Sequence, residues 1–397
     1  MLLTTIGEAF EINPQVRIPK GTEVPFVTMD QVVPGQRNVS AAENRVFKGG
    51  SKFEHGDTLM ARITPCLENK KIAQYLPPNH ASPSAGSTEF IVIRGKNGVS
   101  ITPFAYYFVQ SPDIHELAIS LMTGTSGRQR VDTEAFRMSE IWLPNLTIQE
   151  KIVKVLGSLD DKIAVNNRII ETADCLVDAL YHQVKKLPPN STFGEEFEIY
   201  GGTTPSTKND EFWGGDIFWA TPTDITALNG PWLLNTSRTI THSGLKATSS
   251  ILHPENAILM TSRATIGKTA LASTPITTNQ GFIVIHAPKD LVPWLFSQLR
   301  NRTHEFESWA NGATFLELPR GVFKTLPFIR CDKDQLAKFN ATAWPLLKHI
   351  EATQQENQTL ARTRDELLPL LMSGKITVWD AEEASAEVGV DKHEVKE

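Results

Sequence analysis

Residues 152–184 carry side chains at strict four-three spacing: Ile152, Leu156, Leu159, Ile163, a polar Asn166, then Ile170, Ala173, Val177, Leu180 and Val184. This is a heptad seam, and it demands a long helix with a partner along its length. Pro144 and the capping-box pattern Thr147-Ile-Gln-Glu150 predict its start, and Pro188-Pro189 its end. A helix of about 40 residues spans about 60 Å at the usual rise. A second seam follows 191 positions later: Ala343, Leu347, Ile350, Gln354, Asn357, Ala361, Arg364, Leu368 and Leu371. The offset lays Leu347 on Leu156, Ile350 on Leu159, Asn357 on Asn166 and Leu371 on Leu180, so the polar member recurs in the same place. A seam Asn costs stability and fixes register. Ser373-Gly374 predicts the end of the second helix, and Pro345 predicts a kink or fresh start within it.

The segments ahead of the two helices echo each other. Phe26-Val-Thr-Met-Asp30 resembles Trp219-Ala-Thr-Pro-Thr-Asp224, Leu59-Met60-Ala-Arg62 resembles Leu259-Met260-Thr-Ser-Arg263, and Phe90–Ile93 is matched by Phe282–Ile285. Val131–Phe136 parallels Leu318–Phe323. These short apolar runs, bounded by Gly, Pro, Asn and Ser, read as strands, with short helices at Pro103–Gln110 and Pro293–Arg302. The expected fold class is therefore α+β: two mixed α/β domains separated by two long helices that form an antiparallel coiled coil, as an internal repeat with an approximate two-fold axis.

A chain of 397 residues suits two or three domains. It lacks the roughly 18 consecutive apolar residues of a membrane span and shows no signal-peptide pattern at its start. Cys66, Cys175 and Cys331 stand far apart, which fits a reducing cytoplasm better than a disulfide framework. The formal net charge is −6. Residues 380–397 alone hold seven acids and two bases without apolar periodicity, so they read as a flexible tail. The rest is near neutral. A near-neutral chain is a poor non-specific polyanion binder, since that mode needs many Lys and Arg to displace counterions. If it binds DNA, it does so through local patches or beside a basic partner.

Three stretches resemble a known family. Leu143-Pro-Asn-Leu-Thr-Ile-Gln-Glu-Lys-Ile152, with Leu156-Gly-Ser-Leu-Asp-Asp-Lys-Ile163, Asn166-Asn-Arg and Glu171-Thr, is similar to the central helical region of type I restriction-modification specificity subunits. Arg364-Asp-Glu-Leu-Leu-Pro-Leu-Leu-Met-Ser-Gly-Lys-Ile376 resembles that family's C-terminal helical region. Gly201-Gly-Thr-Thr-Pro-Ser206, followed by Phe212-Trp-Gly-Gly215, looks like the opening of many of its target-recognition domains. The first domain departs from that opening, with Asn13-Pro-Gln-Val-Arg-Ile-Pro instead. The resemblance implies that each recognition domain reads half of a split site in double-stranded DNA. It implies helices that set the spacer and dock methyltransferase subunits. S-adenosylmethionine is expected on those subunits, ATP and Mg on the partners including the motor-nuclease subunits, and no cofactor on this chain. The expected divisions are 1–145 (first recognition domain), 146–188 (central helical spacer), 189–331 (second recognition domain), 332–378 (C-terminal helical spacer) and 379–397 (acidic flexible tail).

Catalytic patterns are weak. Ser262-Arg-Ala-Thr-Ile-Gly-Lys-Thr269 has Ser where a phosphate-binding loop opens with Gly. Asp57 with Glu68-Asn-Lys70 mimics the spaced acids and lysine of some nucleases, a spacing that ordinary surface charges also give. The histidines show no zinc spacing. The chain thus reads as a non-catalytic recognition subunit. The alternatives are a stand-alone nuclease or fused enzyme with type-I-like recognition domains, and a coiled-coil scaffold for other ligands.

Base edges are read best by Arg, Lys, Asn and Gln. In the first domain the candidates are the Ser126, Arg128, Gln129 and Arg130 loop, then Arg62, Lys70 and Lys71. In the second, the corresponding loop is almost uncharged, so the candidates are Arg263, Lys268, Asn279, Gln280, Arg320 and Lys324. Each is equally at home as a turn or surface residue. The outward helix positions Lys154, Asp161 and Arg168 are candidates for a methyltransferase contact or a solvated face.

Overall fold

The computed structural model describes residues 1–77, 83–125, 127–312 and 316–390. Its long helices are Leu146–Gln183 and Lys333–Ser373. The chain divides into two compact units, one of residues 1–164 with 358–397 and the other of residues 165–357. Each long helix therefore contributes one part to each unit, and the units are described separately.

In the first unit the main sheet has five strands, in the order Phe10–Ile12, Phe90–Gly95, Thr58–Ala61, Ile72–Tyr75 and Asn38–Val39. All neighbours are antiparallel except the last pair. A second sheet holds Glu23–Val27 parallel to Ser84–Gly86. Alternate residues of the central strands face opposite sides of the sheet, as the pleat requires. Met60 and Ile91 join the core with the Thr102–Gln110 helix, while Leu59 and Val92 join a core with Val27 and Tyr75.

The second unit repeats this plan. Its five-stranded sheet runs Glu198–Gly201, Phe282–His286, Ile258–Thr261, Thr269–Ala272 and Trp232–Leu233, again with only the last pair parallel. Its second sheet pairs Trp213–Ala220 parallel to Ile276–Thr278. The Val292–Arg300 helix takes the place of Thr102–Gln110. The expected short helices and the central strands are thus present. Val131–Phe136 and Leu318–Phe323 differ from the strand expectation. They are chiefly the short helices Thr133–Met138 and Arg320–Thr325, because Asp132 caps the first through the N–H groups of Glu134 and Ala135, and Pro319 sits at the N-cap of the second.

Each unit also carries a small matched device ahead of its main sheet. Thr5 and Glu8 form a capping box, as do Thr192 and Glu195. Between them, Gly7 lies against the Arg137 carbonyl and Gly194 against Lys324, where a Cβ would sit 2.9 Å from the Lys324 Cβ. The strands just before these boxes pair with those leading to the long helices: Leu2–Thr5 with Glu140–Leu143, and Ser191–Thr192 with Pro327–Phe328.

Within each unit two helix segments pack together. In the first, Ile152, Leu156 and Leu159 share a core with Leu360, Leu367, Leu368 and Leu371, and Ile163 packs at its edge. In the second, Ile170, Ala173 and Val177 meet Phe339, Ala343, Leu347 and Ile350, with Leu180 alongside. Polar contacts in that unit fix the direction. Asn166 bonds Asn357, while the Lys185 N–H donates to Gln335 at 3.0 Å, so one number rises as the other falls and the segments are antiparallel. Ala361 is half-buried, and Arg364, a seam position, turns out to be a buried ion-pair partner.

Three expectations need correction here. The central helix starts at Leu146, capped by Asn145 Oδ1 accepting from the Ile148 N–H, and not by the Thr147 box. Its Gln149 is wholly buried and bonds Ile101, Val99 and Pro144 instead. The second helix runs through Pro345 without a fresh start, with that residue on its exposed side, where water can serve the freed carbonyl. Residues 378–387 form a helix, not a frayed tail. Thr377 caps it with Asp380, and Ala381, Ala384, Val388 and Val390 pack on the first unit's core. The acidic residues hid a short apolar face from a charge count. Residues 391–397 lie outside the described residues.

Candidate nucleic-acid interface

In the first unit three chain segments meet beside the end of the Thr58–Ala61 strand. The Arg62 N–H donates to the Glu89 carbonyl at 2.9 Å, and the Val131 N–H donates to the Arg62 carbonyl at 2.9 Å. This knot brings Arg62, Glu89, Gln129 and Arg130 together. Arg130 donates from Nε and Nη2 to both carboxylate oxygens of Glu89, at 2.7 to 3.1 Å. The Arg130 guanidinium, first, and then the charge of Arg62 hold the Glu89 carboxyl below its ordinary range. Arg62 Nη2 donates to the Val131 carbonyl, while its Nε is buried without a partner. Next to it lies a groove of 670 Å³ lined by Asn13, Arg17, Ser51, Lys52, Arg62 and Thr88, among others. Among the described residues its lining includes three cations and no acid, the charge pattern that attracts a polyanion.

The second unit has the same knot. The Ser262 N–H donates to the Gly281 carbonyl and the Leu318 N–H to the Ser262 carbonyl, at 2.8 and 2.9 Å. The backbone counterpart of Arg62 is therefore Ser262, and not Arg263 as the sequence echo suggested. Likewise Glu317 stands where Arg130 stands in the first unit. Arg263 pairs with Glu317 at 2.9 Å, and the Arg263 Nε is also buried without a partner. Asn279, Gln280 and Arg320 border the same strand ends. The Asn279 side chain accepts from the Gly281 N–H, and Gln280 accepts from the Thr204 hydroxyl. Arg320 lies over Gly201.

The remaining sequence candidates fall elsewhere. Lys71 donates to the Met29 carbonyl, and Lys70 lines a cavity with Tyr107 and Arg364. Lys268, the backbone counterpart of Lys71, lines a cavity with Asp174 and Arg300. Lys324 sits by Gly194. Arg128 is exposed beside the knot, and Ser126 lies outside the described residues. Sequence reasoning missed Glu89 and Glu317, whose pairing is tertiary and leaves no local trace. It also missed Arg17 and Lys52, which stand on separate segments.

The weak catalytic patterns are not assembled. Asp57 is fully buried and its carboxylate accepts from Arg94 at 2.7 and 2.8 Å, while Lys70 lies in another cavity. Residues 262–268 are the turn of an antiparallel hairpin, not a strand-to-helix phosphate loop. Among the described residues, no group of three or more His, Cys, Asp or Glu could hold a metal ion, and no helix is long and apolar enough to cross a membrane.

The family model of the type I restriction modification DNA specificity domain matches residues 65–173 and again residues 190–329. The chain belongs to that family. The two matches fall one in each repeat and together cover well over half of the sequence. A specificity subunit of the type I restriction enzyme MjaIX, from Methanocaldococcus jannaschii, is 35% identical over 174 residues, 43% of this chain and 40% of that one. The EcoAI specificity subunit of Escherichia coli is 30% identical over 155 residues, 38% of this chain and 26% of that one. The chain thus spans less than half the length of these relatives. The crystal structure of a type I restriction-modification S subunit from M. genitalium has the same fold, with a TM-score of 0.52 at 14% identity over 93% of this chain and 95% of that one. This specificity-family chain therefore carries its type I resemblance in both sequence and fold.

Proposed function

We propose that the chain is the DNA-sequence-specificity subunit of a type I restriction-modification complex. Each unit reads one half of a bipartite site in double-stranded DNA, and the long helices set the spacer and dock methyltransferase subunits. One observation carries this reading: a family-matched domain occurs twice, and each copy presents a guanidinium at the same backbone knot. Forked donors at the edge of a rigid sheet suit base recognition, because their direction is fixed before contact. The cationic groove of Arg17, Lys52 and Arg62 suits phosphates. The low overall charge fits a subunit that shares backbone binding with partners. In this reading the chain works in the cytoplasm and is not itself catalytic. S-adenosylmethionine belongs to the methyltransferase subunits, and ATP and Mg to the motor-nuclease assembly.

The test is genome-wide DNA methylation in cells making this chain with its methyltransferase subunit, against cells lacking only this chain. A split motif that requires the chain is the expected result. Equal methylation in both, with the two proteins folded and associated, would overturn the reading.

A further inference from the structure

The two knots differ in one respect that their shared topology does not explain. At the backbone position just before the residue whose N–H closes each knot, one carries Arg130 and the other Glu317. In both, that side chain meets an oppositely charged partner from a neighbouring segment: Glu89 in the first unit, Arg263 in the second. The sign at that one position is reversed, yet an arginine–glutamate pair recurs, its second member drawn from a different segment in each unit. All four side chains retain solvent contact, with Arg130 45% and Arg263 42% exposed. Exposed pairs of this kind add little to stability, so folding alone gives no reason to build the pair twice from different positions. Both knots hold a guanidinium beside a carboxylate.

Glu89 holds Arg130 in one orientation, since the planar fork matches the carboxylate edge, while Glu317 meets Arg263 through Nη2 alone, at 2.9 Å. The three hydrogen bonds from Arg130 to Glu89 use Nε and Nη2, and none of them uses Nη1. The outer end of the fork therefore stays available. In the major groove, a guanidinium pairs in bidentate fashion with the O6 and N7 acceptors of guanine. Neighbouring Arg62, Lys52 and Arg17 supply charge for the phosphates on one side of the first pair. Asn279, Gln280 and Arg320 border the second.

Resting on the DNA-specificity reading above, we propose that Arg130 and Arg263 each read a guanine, and that Glu89 and Glu317 are the positioning residues that aim them. The arginine reaches the base from a different segment in each unit. Each unit thus contributes one guanine contact to its own half-site, independently of the other.

The test is methylome sequencing of cells carrying the methyltransferase subunit with the chain or with its variants. Arg130→Ala is expected to erase the preference for one G·C pair in one half-site, a loss of roughly 5- to 150-fold in discrimination at that base. The other half-site stays unchanged. Arg263→Ala does the converse. Glu89→Gln and Glu317→Gln, which keep shape and lose charge, relax the same base as their arginine. Arg130→Lys, which keeps charge and loses the fork, does not restore it. Arg130→Gln serves as a second variant if the alanine form fails to associate with the methyltransferase subunit. Uniformly weaker methylation with unchanged letters in both half-sites would sink the proposal, as would a wild-type half-site without a G·C pair. Absence of any chain-dependent motif in the wild type is a different outcome, and it would remove the specificity reading itself.

Discussion

Asn166 donates from Nδ2 to the Oδ1 of Asn357 at 2.9 Å, joining two residues that hold the same heptad place 191 positions apart. Asn357 in turn donates to Asn167 at 2.8 Å, and Asn166 also donates to Glu356. Asn166 is only 2% exposed, so its amide depends on these partners. Asn166→Ala removes the donor to Asn357 Oδ1 and to Glu356, and is expected to cost about 1 kcal/mol. Asn166→Leu with Asn357→Leu removes both polar groups and is expected to recover that loss while relaxing register. Denaturant unfolding of the wild type, both single variants and the double variant tests this. An additive double variant would show that the two amides do not act together.

The first unit holds its helix segments by a charged pair instead. Arg364 donates to Asp160 at 2.7 Å, with side-chain exposures of 10% and 3%, and Tyr107 donates to the other oxygen of Asp160 at 2.7 Å. Burial alone would favour a neutral guanidine, yet Asp160 and Asp365 beside Arg364 push its pKa above the ordinary value. Asp160→Ala strands a buried cation and is expected to cost about 3–5 kcal/mol. Neighbouring Asp161, 65% exposed, should cost no more than about 1 kcal/mol on the same change. Equal losses in thermal unfolding would contradict this account.

These helices show why part of the molecule was legible. A seam repeats a local spacing, so Leu156, Asn166, Leu347 and Asn357 announce themselves in sequence. The central strands did so too, because Leu59-Met60 and Leu259-Met260 recur with the same pleat. The interface was less legible. Arg62 looked like the match of Arg263 until backbone hydrogen bonds put Ser262 in its place, since one residue of slippage is invisible in a short echo. Glu89 and Glu317 gain meaning only from partners brought close by folding. The Thr-Ile-Gly-Glu and Thr-Phe-Gly-Glu stretches at residues 5 and 192 were a readable signal, and each forms the same capped turn ahead of its unit's main sheet.

Gly202, in the Gly-Gly-Thr-Thr-Pro-Ser opening, packs its backbone against the end of the Ile276–Thr278 strand. A Cβ there would stand 2.1 Å from the Thr278 carbonyl oxygen and 2.3 Å from that of Asn279. Both obstacles are backbone, so the strand itself must shift. Gly202→Ala is expected to cost about 1–3 kcal/mol or more, and to disturb Asn279 and Gln280 with it. The open Gly214, where no heavy atom lies within 4 Å, meets no such obstacle, though its φ of +77° makes a side chain strained. Unfolding of the Gly202→Ala chain, with DNA binding measured on the folded fraction, checks both effects.

Acid should weaken the second unit through His253. It is fully buried, its Nδ1 lies 3.0 Å from His286 Nε2, and its Nε2 has no partner. Burial first, and then the neighbouring His286, push its pKa down to about 4. A histidine with a depressed folded pKa stabilises fully above its unfolded value of about 6.5, and that contribution drains away as pH falls towards the folded value. The loss between pH 7 and pH 4 should be on the order of 3 kcal/mol, because the unfolded chain takes up the proton first. His286 shifts in the same direction by burial, with Glu198 opposing, and adds to the slope. Denaturant unfolding at pH 7, 5.5 and 4.5 is the measurement, with His253→Gln as the comparison. The variant should be less stable at pH 7 and markedly flatter towards acid. A variant whose pH slope matches the wild type would place the acid sensitivity on other groups.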